Sequence, residues 1–175
     1  LIHSETLNHL NKGKEYSILI TSLNIGINIR PYLTEFLSSI SKYYNLILFT
    51  AGEEEYAQCV IEALNIKQFF GFILSRDFCV DLEGLIFIKD LDILGEDANI
   101  LLVDNSIFSF AKHLKNGVLV SSYYSNQSDT ELLDLLDYLI ELLETSSSAE
   151  IKVDGNLETV AQTIIIKNEK HFWFE

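Results

Sequence analysis

Ile100-Leu101-Leu102-Val103-Asp104-Asn105-Ser106 is an apolar run that changes abruptly to three polar residues. The same layout occurs in Leu46–Thr50, which ends in a hydroxyl group, and in Ile86–Lys89, which ends in an ammonium group. Short apolar runs bounded by polar turn residues are typical of buried strands. Because helical patterns occur between such runs, we expect an α/β fold with a parallel sheet flanked by helices.

Thr50, Lys89, Asp104 and Asn105 follow these three predicted strands at their carboxyl ends. In an open parallel sheet, that edge is where ligands bind. A hydroxyl, an ammonium, a carboxylate and an amide at one edge would suit a phosphate and a divalent cation held side by side. Taken singly, each residue has an ordinary alternative, because threonine and Asp-Asn-Ser form turns and a lysine after a strand is usually solvated.

The segments around these strands carry clear local signals. Tyr16–Ile29 is rich in β-branched residues and predicts a hairpin or meander. Two helices are predicted from apolar residues at helical spacing, Leu33 to Ile40 and Ala57 to Leu64. A third helix is predicted after Ser128–Glu131, which has the spacing of a capping box.

Composition narrows the class of protein. The chain has 175 residues, is 48% hydrophobic and has a formal net charge of -14, with no cluster of Lys and Arg. This charge argues against direct nucleic-acid binding, and no run approaches the roughly 18 apolar residues of a membrane span. Cys59 and Cys79 lack a metal-binding or redox spacing, so we expect reduced thiols and a nuclear or cytoplasmic location.

The order and the residues of several short motifs resemble those of the haloacid-dehalogenase superfamily. The closest resemblance is to the RNA polymerase II C-terminal-domain phosphatases, also called the NLI-interacting-factor-like or small CTD phosphatase family, with an FCP1 homology domain. The matching motifs, within residues 1–144, are Arg30-Pro31, Leu48-Phe49-Thr50-Ala51-Gly52, Tyr56-Ala57, Ser75-Arg76, Cys79-Val80, Lys89-Asp90-Leu91, Val103-Asp104-Asn105-Ser106 and Ser128-Asp129-Thr130-Glu131-Leu132.

The resemblance implies a haloacid-dehalogenase-like Rossmannoid sheet with a small β insertion near the N-terminus. That insertion either helps to form a groove for the substrate peptide or covers one side of the sheet. The implied activity is Mg²⁺-dependent dephosphorylation of a phosphoprotein or phosphopeptide through an aspartyl-phosphate. The implied roles are catalysis for Thr50 and Lys89, and metal binding for Asp104 and Asn105. Thr50 would offer its hydroxyl and its backbone N–H to a phosphate oxygen.

The resemblance also implies substrate-binding roles for Tyr56 and Arg76, each of which has an equally ordinary structural alternative. Periodicity and composition do not indicate a substrate-binding role for either residue. Both are therefore second-rank candidates for holding the substrate peptide or its phosphate.

One motif of such enzymes is absent, the Asp-X-Asp-X-Thr/Val that supplies the nucleophile and the general acid and base. The residues Leu1–Ser4 look like those that follow it. We therefore expect the nucleophile to lie outside this chain, on a preceding strand. The alternative is a catalytically inactive pseudophosphatase that serves as a phosphopeptide-binding or scaffold module.

Asp90-Leu91-Asp92 also follows an apolar strand with Asp-X-Asp spacing. However, Lys89 stands where the resemblance places its phosphate-binding lysine, and no Thr or Val follows two residues after Asp92. We therefore interpret these aspartates as residues that cap or flank the next helical turn.

The C-terminal part of the chain differs in character. We predict a phosphatase-like domain over residues 1–144, a linker over 145–149 and a β-rich extension over 150–175. The extension is expected to hold two short hairpins, one at Ile151-Lys152-Val153 with Asp154-Gly155 and one formed by Thr163–Lys167 with His171–Phe174. The extension either packs onto its own domain or binds a protein partner through Phe172-Trp173-Phe174.

Overall fold

A computed structural model describes residues 2–7, 15–95, 100–146 and 163–167. Within these ranges the helices are α1 (Leu33–Ile40), α2 (Glu54–Leu64) and α3 (Glu131–Ser146). The strands are β1 (Ile2–Thr6), β2 (Ile18–Ile20), β3 (Ile25–Ile29), β4 (Asn45–Phe49), β5 (Phe70–Leu74), β6 (Val80–Leu82), β7 (Ile86–Ile88), β8 (Ile100–Asp104), β9 (Gly117–Leu119) and β10 (Thr163–Lys167).

The main sheet has the strand order β5-β4-β10-β8-β9. β4 pairs with β5 in parallel and β8 pairs with β9 in parallel, so both pairs present their carboxyl ends at one edge. Buried residues on the two strands include Phe49 on β4 and all five residues of β8. The predicted α/β fold is confirmed, and the two predicted strands that carry Thr50 and Asp104 lie in one sheet.

β10 lies at the centre of this sheet and is antiparallel to both of its neighbours. Thr163 pairs with Phe49, and Ile164 pairs with Val103, so β10 begins at the edge where β4 and β8 end. The sheet is therefore mixed instead of wholly parallel. The strand expected at Thr163–Lys167 is confirmed. The hairpin predicted around residues 151–155, and the segment 171–174 expected to pair with Thr163–Lys167, lie outside the described residues.

β7 departs from the expected arrangement. The sequence predicted Ile86–Lys89 in the parallel sheet, but among the described strands β7 pairs only with β6, antiparallel, in a separate two-stranded sheet. That prediction is wrong because an apolar run identifies a strand without identifying its partner. The Lys89 side chain still reaches Asp104 at the end of β8. Its backbone N–H donates at 2.8 Å to the carbonyl oxygen of Ser109, in the 3-10 turn that follows β8.

The predicted β insertion near the N-terminus is confirmed as a three-stranded antiparallel sheet in the order β1-β3-β2. β2 and β3 form the hairpin expected within Tyr16–Ile29. Gly26 in β3 lies under the ring of Tyr16, where a Cβ atom would come within 2.4 Å of the ring. Glycine is therefore required at this close approach.

Helices α1 and α2 bury the faces that periodicity predicts. Leu33, Phe36, Leu37 and Ile40 of α1 are all buried, and they belong to one core cluster with Ile61 of α2. Helix α1 follows Tyr32, which has a positive φ of 65°. Burial of these apolar faces is the main source of stability for such short helices.

Helix α3 begins at Glu131, close to the predicted start, but the expected capping box is replaced by a tertiary network. The Asp129 carboxylate accepts a hydrogen bond from the Glu131 backbone N–H at 3.2 Å. The Glu131 carboxylate accepts hydrogen bonds from the N–H and the hydroxyl of Ser121. Tyr44 donates to the Leu139 carbonyl oxygen at 2.7 Å, and burial raises the pKa of Tyr44 to about 12.

No helix among the described residues has the length and apolar character needed to cross a membrane.

Candidate active site

Lys89 and Asp104 form a buried ion pair at the carboxyl edge of β8. The Lys89 Nζ atom lies 2.8 Å from Asp104 Oδ2, and the two side chains are 3% and 0% exposed. Asp104 Oδ1 accepts a hydrogen bond from the Ser106 backbone N–H at 2.7 Å. The carboxylate is thus held from two sides, and the ammonium group is fixed at the strand end.

Asn105 lies beside this pair and is 3% exposed. Its Nδ2 atom donates to the Ser122 hydroxyl at 2.8 Å. Its Oδ1 atom is the one buried side-chain nitrogen or oxygen within the described ranges that has no hydrogen-bond partner. We call Lys89, Asp104 and Asn105 the strand-edge cluster.

Thr50 lies at the end of β4 and is largely buried. Its Oγ1 atom accepts a hydrogen bond from the Gly52 N–H at 3.0 Å, which is the turn geometry expected of a strand-end threonine. Its backbone N–H donates to the Leu74 carbonyl oxygen at 2.8 Å. The expectation that this N–H binds phosphate is therefore wrong, because pairing with β5 already uses it. The hydroxyl remains the candidate donor.

Arg76 lies next to the Thr50 turn. Its Nε atom donates to the Ala51 carbonyl oxygen at 2.6 Å, one guanidinium nitrogen lies 3.1 Å from Glu53, and the guanidinium group lies 5.0 Å from the Phe87 ring centre. These contacts attach β7 to the loop after β4. The structural role is observed, and the substrate-binding role stays a prediction.

Tyr56 connects α2 to β1 and also borders an apolar cavity that reaches Thr50. Its hydroxyl donates to Ser4 Oγ at 2.8 Å. Here too the structural contact is observed, and the substrate-binding role stays a prediction.

A second group of charges, which we call the turn cluster, consists of Asp90, Asp92, Lys112 and His113. Lys112 bridges both carboxylates, at 2.8 Å from Asp92, and His113 Nε2 lies 2.8 Å from Asp90. Asp90 Oδ1 also accepts from the Asp92 N–H at the start of a 3-10 turn. This confirms the interpretation of the Asp-X-Asp sequence as a cap.

The hydrogen bonds that Asp90 accepts lower the pKa of its carboxyl group. Burial by itself would raise the pKa, but hydrogen bonds from Lys112 and His113 and from the Asp92 N–H outweigh that effect and lower the pKa to about 2. The hydrogen bonds that Lys112 donates to the Asp90 and Asp92 carboxylates raise the pKa of Lys112. The carboxylates and His113 are close enough for their ligand atoms to hold a metal ion, yet the Lys112 ammonium group already supplies their cation.

The strand-edge cluster provides a better fit for Mg²⁺. This ion prefers oxygen ligands, and Asn105 Oδ1 is a buried oxygen with no partner in the described parts of the chain. Asp104 adds a negative charge at the same strand end, although each of its oxygens already has one hydrogen bond. The donor set therefore fits a Mg²⁺ ion that keeps several water or phosphate ligands.

Ser122 is the site residue that the sequence reasoning missed. It follows β9 by a few residues, and its neighbour Val120 donates its N–H to the Asp104 carbonyl oxygen at 3.0 Å. The available signal was the polar pair Ser121-Ser122 after the apolar run that ends at Val120, the same pattern that pointed to Asp104.

The fold and this strand-edge geometry define an α/β protein of the haloacid-dehalogenase type. A solved structure of the fission yeast RNA polymerase II CTD phosphatase Fcp1 bound to beryllium fluoride is similar, with a TM-score of 0.51 and 20% sequence identity. The similarity covers 83% of this chain and 48% of that chain. At this identity the likeness establishes the fold.

The chain belongs to the NLI interacting factor-like phosphatase family, whose profile matches residues 1–150. It is 42% identical over 119 residues to CTD small phosphatase-like protein 1 of Caenorhabditis elegans, covering 67% of this chain and 24% of that protein. It is 40% identical over 114 residues to the human carboxy-terminal domain RNA polymerase II polypeptide A small phosphatase 1, covering 65% of this chain and 43% of that protein.

A third relative, nuclear envelope morphology protein 1 of Saccharomyces cerevisiae, is 36% identical over 160 residues, covering 79% of this chain and 36% of that protein. The chain thus spans less than half the length of these three relatives. The resemblance read from the sequence is confirmed at the level of family and fold.

Proposed function

We propose that this chain forms the phosphate- and metal-binding part of a Mg²⁺-dependent protein serine/threonine phosphatase. The observation that carries the proposal is the buried Lys89–Asp104 pair beside the unpartnered Asn105 oxygen. Membership of a phosphatase family supports the reaction class. By analogy with relatives named for the C-terminal domain of RNA polymerase II, the substrate is a phosphoprotein, and the location is the nucleus or cytoplasm.

In this proposal the reaction has two phosphoryl-transfer steps. A carboxylate oxygen attacks phosphorus as the bond from phosphorus to the serine or threonine oxygen breaks, and that oxygen takes up a proton. Water then attacks the phosphorus of the aspartyl-phosphate, and inorganic phosphate leaves as the carboxylate is regenerated. Such transfers depend mainly on positioning and on neutralising charge.

Lys89 would neutralise negative charge on the transferring phosphoryl group. Its ammonium group is held by Asp104 in a buried position, where its electrostatic effect is stronger than it would be in water. The Thr50 hydroxyl would donate to a phosphate oxygen, since its own oxygen already accepts from Gly52. These two side chains would hold the phosphate without taking part in bond making.

Asn105, through Oδ1, and Asp104, through its carboxylate, would hold Mg²⁺. When bound, the ion would supply charge neutralisation and orientation of a phosphate oxygen. The net charge of -14 disfavours the binding of a phosphate group unless local cations such as Mg²⁺ and Lys89 compensate it.

The nucleophilic aspartate is not supplied by these 175 residues in this proposal. The one Asp-X-Asp sequence, Asp90–Asp92, is bound by Lys112 and His113 in the turn cluster. We therefore expect no phosphate release from a phosphoserine peptide by this chain alone. A strand that ends in Asp-X-Asp-X-Thr, joined in front of Leu1, should produce Mg²⁺-dependent release, and the same strand with Asn-X-Asn-X-Thr is the matched control.

A second candidate function is a pseudophosphatase module that binds a phosphopeptide without hydrolysing it. The observation in its favour is β10, which lies between β4 and β8 and presents its first residue, Thr163, at the site edge. Under this alternative the fused strand would give no phosphate release, while the peptide would still bind in a Lys89-dependent manner. Loss of both binding and release would contradict both functions.

A further inference from the structure

The Asn105 side chain has two ends with different environments. Nδ2 donates to Ser122 Oγ at 2.8 Å, whereas Oδ1 is buried and has no partner among the described residues. A buried polar atom without a partner is rare in folded proteins, and it calls for an explanation such as an ion. The proposed function provides that ion, but it does not explain what keeps the oxygen pointed toward it.

The amide group is planar, so the direction of one end fixes the direction of the other. If the amide of Asn105 rotated by half a turn, its NH₂ group would take the position of Oδ1 and would repel a cation. The hydrogen bond to Ser122 is the contact that favours the observed orientation. Outer contacts of this kind orient metal ligands and contribute to metal affinity.

The backbone on both sides of Ser122 is fixed by buried contacts. On one side, the 1% exposed Arg30 donates to the Ser121 carbonyl oxygen at 2.8 Å and to its hydroxyl at 2.7 Å. On the other side, the Tyr123 hydroxyl donates to the Ile29 carbonyl oxygen at 3.0 Å. Ser122 therefore occupies a well-defined position.

Arg30 is itself fixed, because Asp129 accepts two hydrogen bonds from its guanidinium group, at 2.6 and 2.8 Å. This pairing lowers the pKa of Asp129 below its ordinary value, with the hydrogen bonds from Arg30 as the main cause. The pair connects the end of β3 with the start of α3, the same two elements that adjoin the Ser121–Tyr123 segment.

We propose that Ser122 is a positioning residue for the Mg²⁺ site: its hydroxyl accepts the Asn105 amide N–H and thereby presents Oδ1 to the cation. The inference rests on the proposed function, since it assumes that Asn105 binds Mg²⁺. Ser122 does not touch the metal, the phosphate or the reacting atoms. It acts only through the orientation of Asn105.

The test is a titration of the full chain with Mg²⁺ alone, followed by NMR of the asparagine side-chain amides. Ser122→Ala should raise the dissociation constant by about 10- to 100-fold, the usual effect of losing an outer-shell contact. Ser122→Thr keeps the hydroxyl and should keep the affinity. Ser109→Ala removes a hydroxyl from a buried serine and should leave the affinity unchanged.

Ser122→Cys guards against misfolding of the alanine variant, since a thiol has nearly the same shape but is a weak hydrogen-bond acceptor. It should also weaken Mg²⁺ binding. Unchanged Mg²⁺ affinity in Ser122→Ala or Ser122→Cys would overturn the inference and leave the proposed function intact. If the unaltered chain binds no Mg²⁺, or if Asn105→Ala binds it as well as the unaltered chain, the proposed metal site fails and the inference fails with it.

Discussion

The strand-edge cluster and the turn cluster begin at the adjacent residues Lys89 and Asp90, yet they differ in burial and in how their charges are satisfied. In the strand-edge cluster the lysine and aspartate are 3% and 0% exposed, and the Asn105 oxygen has no partner in the described structure. In the turn cluster, Lys112 and Asp92 are 49% and 66% exposed, and the lysine pairs with both carboxylates.

In the function that we propose, this difference distinguishes a binding site from a structural contact. A buried ion pair costs desolvation energy that its attraction barely recovers, so its presence is weak evidence for a stabilising role and fits a functional one. Exposed pairs cost little and contribute little. A sequence motif of two aspartates therefore says less about chemistry than the burial of the charges around it.

The largest expected effect is the loss of Lys89. Lys89→Met leaves the Asp104 carboxylate buried without its ammonium partner, and we expect the free energy of unfolding to fall by about 3–5 kcal/mol. Urea denaturation at neutral pH measures this loss. Lys112→Met is the matched control in the turn cluster and should reduce the free energy of unfolding far less, because the lysine is exposed. Equal losses in the two variants would remove the distinction between the clusters.

The next effect concerns Mg²⁺ affinity. Asn105→Ala removes the unpartnered oxygen, and we expect the dissociation constant to rise by about 100-fold, which corresponds to about 2.7 kcal/mol. Asp92→Asn should leave it unchanged, because Lys112 already neutralises the turn cluster. Isothermal titration calorimetry with Mg²⁺ distinguishes the two. A loss of affinity in Asp92→Asn but not in Asn105→Ala would assign the metal to the turn cluster.

A smaller effect is the acid sensitivity that Asp90 confers. Its pKa is lowered to about 2 in the folded chain, from an ordinary value of 3.8. A depressed carboxylate pKa stabilises the fold above the unfolded-state pKa, and this stability is lost as the pH falls through the folded value. Between about pH 5 and pH 2, the stability difference between the unaltered chain and Asp90→Asn should shrink by about 1–2 kcal/mol.

Urea denaturation of both chains across this pH range measures that difference. Asp81→Asn, an exposed carboxylate in β6, is a suitable control. A stability difference for Asp90→Asn that is independent of pH would show that the hydrogen bonds from Lys112 and His113 do not persist in solution.

Prediction from the sequence was most accurate where apolar residues occur with the spacing and length of a helix or a strand. The α1 face, with Phe36 and Leu37, and the strands β4 and β8 were predicted because apolar period and length identify an element without knowledge of its partners. Lys89 lies beside Asp104, as the strand-end rule predicted, although β7 belongs to a separate sheet and not to the parallel one that the rule assumes. The interpretation of Asp90 as a capping residue is confirmed by the hydrogen bond that it accepts from the Asp92 N–H.

The pairing of strands and the contacts between distant side chains could not be predicted from local sequence patterns. β7 has the apolar run of a sheet strand, but it pairs with β6, and β10 pairs with β4 and β8 far away in the chain. Such pairings depend on tertiary packing and not on the pattern within a segment. Ser122 was missed for the same reason, because its role depends on a contact with a residue 17 positions away.

The smallest effect uses Cys79 as a reporter of the Lys89 charge. Burial raises the pKa of the half-buried Cys79 thiol, while Lys89 and Arg76 act in the opposite direction. Lys89→Met removes one of these positive charges, so the pKa should rise further and alkylation by iodoacetamide at pH 8 should slow by roughly two- to fivefold. Lys112→Met removes an equal charge from the turn cluster and should leave the rate unchanged. Because unfolding would instead accelerate alkylation, a faster reaction in Lys89→Met would indicate opening of the site, and an unchanged rate would contradict the closeness of Lys89 and the thiol.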